Sequence, residues 1–261
     1  MIVLGGRCTW MHAMTSASRK RPMESTPPAP LLQAEVRDWL GPESTQHQGL
    51  LMERRPWWGD CQDAVDRLAA SGDLGDEDEV VVRVSRGPAG LGNLRFVADK
   101  ILGKLTLPQD VKDAFHADIC QLGAVVEKMC PWSDCVVVKL ELIGEKACSR
   151  WHRDYYCGRA IVSYNAAGTL YTPDENVNFW ELENKGGNER IIRRKSEICA
   201  AGVGDVLFIK GVKYPDPVKG LVHRSPEVQY HCNGHVVNRL VLKIDVPEPE
   251  AWKKSDCDCC P

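Results

Sequence analysis

The second half of the chain consists of short apolar runs that are rich in β-branched residues and are separated by turn residues. Each run has the length of a strand rather than of a helix, and glycine, asparagine or aspartate stands at many of the junctions. Many short strands joined by turns predict a β-barrel or a sandwich. The expected strands cover residues 134–143, 159–165, 179–182, 206–211 and 239–245.

The first half of the chain has helical periodicity instead. In the segment 109–128, an apolar residue recurs every three or four positions, which places these residues on one stripe of an amphipathic helix. A run of β-branched residues at 79–84 predicts one strand among the helices. Further helices are expected at 31–40, 62–70 and 93–104. We therefore expect an α+β protein in which an N-terminal helical buttress packs on a strand-rich core.

This pattern divides the chain into four predicted segments. Residues 31–130 form the helical region and residues 131–247 form the core. Residues 1–30 carry basic residues and no acid before Glu24, so they are either a disordered tail or an organellar targeting segment. Residues 248–261 form a Cys-rich tail, in which the cluster Cys257–Cys260 is either a set of redox-prone thiols or a site for a soft metal.

Charge and cysteine content narrow the classes of function. The net charge of -3 and the pI near 6.2 give no basic footprint for nucleic acid, and no apolar run is long enough to span a membrane. The 12 cysteines are scattered, and no clear secretory signal precedes them. We expect mostly reduced thiols in an intracellular protein, with the cytoplasm favoured.

The strongest candidate site is the pair His152 and Asp154, followed at long range by His223. Side chains two positions apart in a strand point to the same face, so His152 and Asp154 can bind one ion while Arg153 points away. Two histidines and one carboxylate are the facial triad of mononuclear iron(II) sites. The alternatives are a surface pair on a strand and a histidine that is only oriented by the aspartate.

Weaker metal candidates lie elsewhere. Cys130 and Cys135 have a loop spacing that suits a metal or a disulfide, but no second pair accompanies them. His231, Cys232 and His235 share a polar loop, where they are either exposed or a zinc site.

The order of these motifs resembles the iron(II)/2-oxoglutarate dioxygenase superfamily. The order is a His-x-Asp, an Arg-led strand ending in Tyr164-Asn165, a Gly-Asp turn before an apolar strand, a second His and another Arg-led strand. The runs 148–154, 204–206, 210–211, 223–226 and 239–245 are also similar to the uncharacterised DUF1826 family, in which a small apolar residue usually stands at the position of Arg153. The resemblance implies a double-stranded β-helix, which is a relative of the jelly roll.

The same resemblance implies roles for single residues. His152, Asp154 and His223 would bind Fe(II), and Arg239 would bind the distal carboxylate of 2-oxoglutarate unless it forms a structural ion pair with an acid such as Asp245. The other expected cofactor-binding residues are Arg159, Tyr164 and Asn165, with Lys243 as a weaker candidate.

These expectations lead to an oxygenase acting on an unknown small-molecule or protein substrate, with no nucleic-acid or membrane partner. The family resemblance keeps zinc open as the metal, so the alternative is a non-catalytic metal-binding or zinc-homeostasis protein on the same scaffold. A third hypothesis is an interaction domain with a vestigial triad.

Overall fold

We describe the fold from a computed structural model of the chain. The structure describes residues 31–32, 40–41, 47–54, 62–72, 74, 79–85, 90–133, 135–215 and 220–248. Within them, helices are combined with two sheets whose strand pairs are antiparallel except for one short parallel pair. The predicted mixture of helix and sheet is therefore confirmed.

The larger sheet has seven strands, which are β1 (Leu31–Leu32), β2 (Gly49–Met52), β3 (Glu79–Ser85), β4 (Cys135–Ile143), β5 (Gly158–Ser163), β8 (Val206–Lys210) and β10 (Arg239–Val246). Their order across the sheet is β1-β2-β8-β5-β10-β4-β3. The central position of β10 follows from its composition, because every second residue is a large aliphatic one and both its neighbours are apolar strands.

The smaller sheet has three strands in the order β7-β6-β9. They are β6 (Leu170–Thr172), β7 (Cys199–Ala200) and β9 (Val222–Arg224). His152 adds one more position beside β9, because it forms an isolated antiparallel bridge with His223. A shared apolar cluster, which includes Tyr171 of β6 and Leu207 and Val241 of the larger sheet, holds the two sheets face to face.

Three helices cover the outer face of the larger sheet. They are α1 (Gln62–Ser71), α2 (Gly90–Gly103) and α3 (Gln109–Met129). The stripe that the sequence predicts on α3 is confirmed, since Val111, Phe115, Ile119, Leu122 and Val126 are all buried. These side chains join the same apolar cluster as Leu240, Leu242 and Ile244 of β10. No helix among the described residues is long and apolar enough to cross a membrane.

The region 31–130 contributes strands as well as helices, because β1, β2 and β3 all pair within the larger sheet. Leu31 and Leu32, expected to begin a helix, pair in parallel with β2 instead. Residues 1–30, residues 249–261 of the predicted Cys-rich tail and most of the first predicted helix lie outside the described residues.

The strand expected at 179–182 is wrong. Residues Phe179–Glu183 form a short helix, α4, and Asn188–Ile191 form α5. The aromatic residues of this run favour a strand locally, but the side chain of Asn178 caps the helix by accepting a hydrogen bond from the backbone N–H of Glu181. Phe179 and Leu182 pack with Trp151 and Val222 on the outer side of the smaller sheet, so tertiary packing decides this element.

Candidate metal centre

His152 and His223 lie directly opposite each other. The backbone N–H of each residue donates to the carbonyl oxygen of the other, and both distances are 3.0 Å. Residues that exchange both hydrogen bonds in this way project their side chains to the same face. The two imidazole ring centroids are accordingly 4.5 Å apart, although about 70 residues of chain separate the two histidines.

Both imidazoles are oriented by the same kind of contact. The Nδ1 atom of His152 lies 2.8 Å from the carbonyl oxygen of Arg150, and the Nδ1 atom of His223 lies 2.9 Å from that of Leu221. A carbonyl oxygen only accepts, so each Nδ1 carries the proton. Each Nε2 atom is then the free ligand atom, which is how metal-binding histidines are usually prepared.

The carboxylate of Asp154 meets both Nε2 atoms. Its Oδ1 lies 3.5 Å from Nε2 of His152, and its Oδ2 lies 3.3 Å from Nε2 of His223. Among the described residues, these three form the one group of three or more His, Cys, Asp and Glu side chains whose ligand atoms all lie within 4.8 Å of one another. The side chains of Asp154 and His223 are almost fully buried, whereas His152 is 32% exposed, so the group opens to solvent beside His152.

A buried guanidinium holds the carboxylate of Asp154 in place. Nη1 of Arg159 donates to both carboxylate oxygens of Asp154 at 2.9 Å, and its Nη2 donates to Asp245 at 3.0 Å. Burial would raise the pKa of Asp154, but the charge of Arg159 and the two histidines hold this pKa well below its ordinary value. Asp154 is therefore an anion at neutral pH.

Three electron-rich atoms thus converge in a partly dry site. Burial would lower the pKa of His152, but its hydrogen bonds to Asp154 and Cys148 outweigh burial and raise this pKa to about 10. The pKa of His152 rises because the carboxylate of Asp154 stabilises a positive charge beside it. That charge is either a proton on the imidazole or a metal ion. Ligand atoms at adjacent corners of an octahedral first-row metal site stand about 3 Å apart, and the two His-to-Asp contacts are close to that spacing. The donor set suits iron(II), and zinc as well.

Arg239 stands on the same face of β10 as Asp245, at the other end of the strand. Its guanidinium is buried, and its contacts are neutral: Nη1 donates to Ala167 O at 3.1 Å, and Nη2 lies 3.2 Å from the hydroxyl of Ser225. Burial lowers the pKa of Arg239 to about 10, against an opposing effect of Glu141. The expected alternative of an ion pair with Asp245 is wrong, because Asp245 binds Arg159.

The other two expected cofactor-binding residues do not reach the triad. Tyr164 faces the helices, where its hydroxyl donates to Asp118 of α3 at 2.7 Å and its ring packs edge-on against Phe115. The amide of Asn165 extends the pairing of β5 with β10, since it accepts from Leu240 N at 2.7 Å and donates to Asn238 O at 3.0 Å. The alternation of β5 places Arg159 and Tyr164 on opposite faces of the sheet.

Three polar residues around the site have no counterpart in the sequence prediction. Ser163 lies on the same face of β5 as Arg159, Ser225 follows His223 by two positions, and Tyr171 of β6 pairs directly with His223. The period of two along each strand is the signal that identifies the two serines once the ligands are known. Tyr171 has no such signal, because its strand is only three residues long.

Other polar residues near the site have structural contacts. Arg224 donates to Ser149 O at 3.1 Å and lies over the ring of Trp151, so it anchors the loop before His152. Lys243 pairs with Glu141 across β10 and β4. Cys130 and Cys135 are buried, and Cys232 is exposed.

The fold has similarities to solved structures. One is a full-length protein of Neurospora crassa in complex with alpha-KG (11% identity, 81% of this chain and 79% of that chain, TM-score 0.38). A Pseudomonas putida prolyl-4-hydroxylase is 14% identical over 82% of this chain and 96% of that chain, with a TM-score of 0.38. The Fe(II)/(alpha)ketoglutarate-dependent dioxygenase TqaL is 12% identical over 81% and 86%, with a TM-score of 0.43. Similarities this weak transfer no activity to the chain.

A comparison with curated proteins finds no match. A comparison with family profiles finds one. The profile described as "Protein of unknown function (DUF1826)" matches residues 46–245, a range that includes all three triad residues, Arg159, Arg239 and both sheets except β1 and the last residue of β10. The chain belongs to the DUF1826 family.

Proposed function

We propose that the protein is an iron(II)/2-oxoglutarate-dependent oxygenase. One observation carries this proposal: His152, Asp154 and His223 converge with both Nε2 atoms directed at one buried carboxylate. Two histidines and one carboxylate on one side of an ion leave positions open for a co-substrate and dioxygen, which is the arrangement of non-haem iron(II) oxygenases.

The strand order supports a double-stranded β-helix, a relative of the jelly roll, as the core of residues 131–247. Four strands of the larger sheet run in the order β4-β10-β5-β8, and the smaller sheet continues from the His152 bridge through β9-β6-β7. Consecutive segments therefore alternate between the sheets: β4, His152, β5, then β6 and β7, then β8, β9 and β10. Eight segments divided between two sheets in this way are typical of jelly rolls. The helices α1, α2 and α3 are the buttress.

Arg239 is the residue that we propose for binding 2-oxoglutarate. A buried guanidinium whose hydrogen-bond partners are two hydroxyls and a carbonyl retains full charge for an incoming carboxylate. Ser163 and Ser225 lie within its reach and supply further donors. Because Ser225 is two residues from His223, the position that we propose for the distal carboxylate lies next to the triad.

In this mechanism the chain positions and shields the reacting groups. His152, Asp154 and His223 would hold iron(II), which supplies with 2-oxoglutarate and dioxygen the power to oxidise an unactivated C–H bond. Arg159 keeps Asp154 ionised and fixes its orientation. The apolar cluster between the sheets excludes water from the inner side of the site. Arg239 would align the co-substrate.

The test is an iron titration without oxygen, followed by addition of 2-oxoglutarate and dioxygen. We expect one iron per chain and slow turnover of 2-oxoglutarate to succinate, since such sites react slowly without a substrate. His152→Ala should abolish iron binding. His116→Ala on α3 is the matched control, because His116 contacts Asp99 and Cys120 and not the triad. Zinc retained at the triad together with no consumption of 2-oxoglutarate would favour the metal-homeostasis alternative and contradict our proposal.

Arg239→Met separates co-substrate binding from metal binding. The variant removes the charge and keeps most of the apolar stem, so iron binding should persist while the 2-oxoglutarate concentration for half-maximal turnover rises by about 10- to 100-fold, equivalent to the loss of one charge-assisted pair of about 1.5–3 kcal/mol. Turnover measured against 2-oxoglutarate concentration checks this. Unchanged dependence on 2-oxoglutarate would exclude Arg239 from this role.

A further inference from the structure

A single row of side chains crosses the smaller sheet and ends at the triad. Cys199 of β7 pairs with Tyr171 of β6, Tyr171 pairs with His223 of β9, and His223 pairs with His152. Residues directly opposite one another in antiparallel strands project to the same face, and their Cβ atoms are about 4.5–5.5 Å apart. The phenol of Tyr171 and the thiol of Cys199 therefore lie on the inner face with the two imidazoles.

The two side chains share one environment on this face. Tyr171 is buried in the apolar cluster between the sheets, and Cys199 packs against the same cluster. The thiol of Cys199 donates to Glu197 O at 3.9 Å. The S–H bond therefore points at Glu197, and the lone pairs of the sulfur are available to the neighbouring phenol.

Nucleophilic catalysis, metal binding and packing do not explain why a phenol and a thiol lie side by side here. Burial raises the pKa of the Cys199 thiol, with smaller opposing effects from Tyr171, so the sulfur is not a thiolate nucleophile or a metal ligand at neutral pH. Tyr171 is 6% exposed and packs with Ile161, Leu207 and Val241, a position in which phenylalanine would serve as well for packing alone. A phenol and a thiol are, however, both readily oxidised side chains.

We propose that Tyr171 and Cys199 become joined by a thioether bond when the triad holds iron(II) and dioxygen is present. The new bond joins Sγ of Cys199 to the ring carbon next to the hydroxyl of Tyr171. The ring C–H bond and the S–H bond break, and the two protons and two electrons pass to dioxygen to give hydrogen peroxide. The sum is one phenol, one thiol and one dioxygen consumed for one thioether and one hydrogen peroxide formed.

The thioether bond would immobilise Tyr171, which lies next to His223. It would tie β6 to β7 beside the metal ligand and hold the Tyr171 hydroxyl in one orientation toward the space between the sheets. The substituted phenol would also be easier to oxidise than tyrosine. This inference rests on the proposed iron site, because it requires an oxidant generated next to the row.

The chain is well suited to a test by mass spectrometry. Trypsin releases Tyr171 in the peptide 160–185, which has no cysteine, and Cys199 in the peptide 196–210, in which it is the one cysteine. A covalent pair of these two peptides therefore cannot be a disulfide and survives reduction. We would load full-length protein with iron(II) without oxygen, admit air, reduce, digest and search for the pair with a mass two hydrogen atoms below the sum. We expect the linked pair, with fragmentation locating the bond at Tyr171.

Matched samples decide the outcome. Tyr171→Phe and Cys199→Ser should each abolish the linked pair while iron titration shows the site still binds, and Cys232→Ser, at an exposed thiol, should leave the pair unchanged. Both peptides unlinked in protein that has bound iron and met dioxygen would overturn this inference and leave the proposed function standing. Equal linkage in zinc-loaded protein would overturn it as well, whereas failure of the wild-type chain to bind iron at all contradicts the proposed function itself.

Discussion

The two faces of β10 are opposites in composition although they belong to one strand. The residues that face the helices are Leu240, Leu242, Ile244 and Val246, and all four are buried among apolar neighbours. The residues that face the smaller sheet are Arg239, Val241, Lys243 and Asp245. Each of the three charged residues on the inner face has a polar contact, with Ser225, Glu141 and Arg159 respectively.

The outer face of β10 therefore contributes mainly to the stability of the fold, whereas the inner face contributes to the candidate site. Apolar burial on the outer face contributes roughly 25 cal/mol per Å² and needs no directional contact. Charges on the inner face must be paired or hydrogen-bonded, because an unpaired buried charge is costly. The same ladder of backbone hydrogen bonds carries both sets, so mutations on the two faces should affect different measurements.

The outer face should give the largest loss of stability. Leu242→Ala removes a side chain that is 1% exposed in the cluster between sheet and helices, and we expect the free energy of unfolding to fall by about 2–5 kcal/mol. Urea unfolding measures this. Iron stoichiometry should remain one per chain under conditions where the variant is folded, and loss of iron binding by the folded variant would show that the faces are not independent.

The inner face should change metal affinity. Asp245→Asn removes one of the two carboxylates that hold Arg159, so the guanidinium loses its fixed orientation toward Asp154 and its charge is less well balanced. Outer partners of metal ligands typically contribute 10- to 100-fold in affinity, and we expect about that loss of iron affinity, or roughly 1.4–2.8 kcal/mol.

Asp118→Asn is the matched control for that experiment, since Asp118 is an equally buried carboxylate on the helix side, paired with Arg54 and Tyr164. It should lower stability and leave iron affinity unchanged. Equal iron affinity in Asp245→Asn and the parent chain would mean that Asp154 is positioned without Arg159.

The smallest effect is expected for Tyr164→Phe. This change removes one hydrogen bond to Asp118, which keeps its contact with Arg54, so unfolding should become easier by about 0.5–1.5 kcal/mol. The 2-oxoglutarate dependence of turnover should not change, because the hydroxyl is on the helix side of the sheet. A raised requirement for 2-oxoglutarate at unchanged stability would instead support the cofactor-binding role expected from the sequence resemblance.

Local patterns account for the elements that sequence analysis identified. The apolar run of β4, the amphipathic stripe of α3 and the i, i+2 spacing of His152 and Asp154 are all properties of a short window. The run 179–182 shows the limit of such windows, because its aromatic residues favour a strand, whereas the cap at Asn178 and packing against Trp151 produce a helix.

The order of the amino acids was enough to identify the candidate ligands, two histidines and an aspartate, the arginine that begins the last strand and the helical stripe of α3. Which of these residues meet depends on the pairing of the strands in three dimensions. The tertiary structure brought His223 opposite His152, turned Arg159 toward Asp154, and turned Tyr164 toward the helices. The physical reason is that periodicity assigns a side chain to one of two faces, but which face lies toward the ligands depends on strand pairings between residues far apart in the chain.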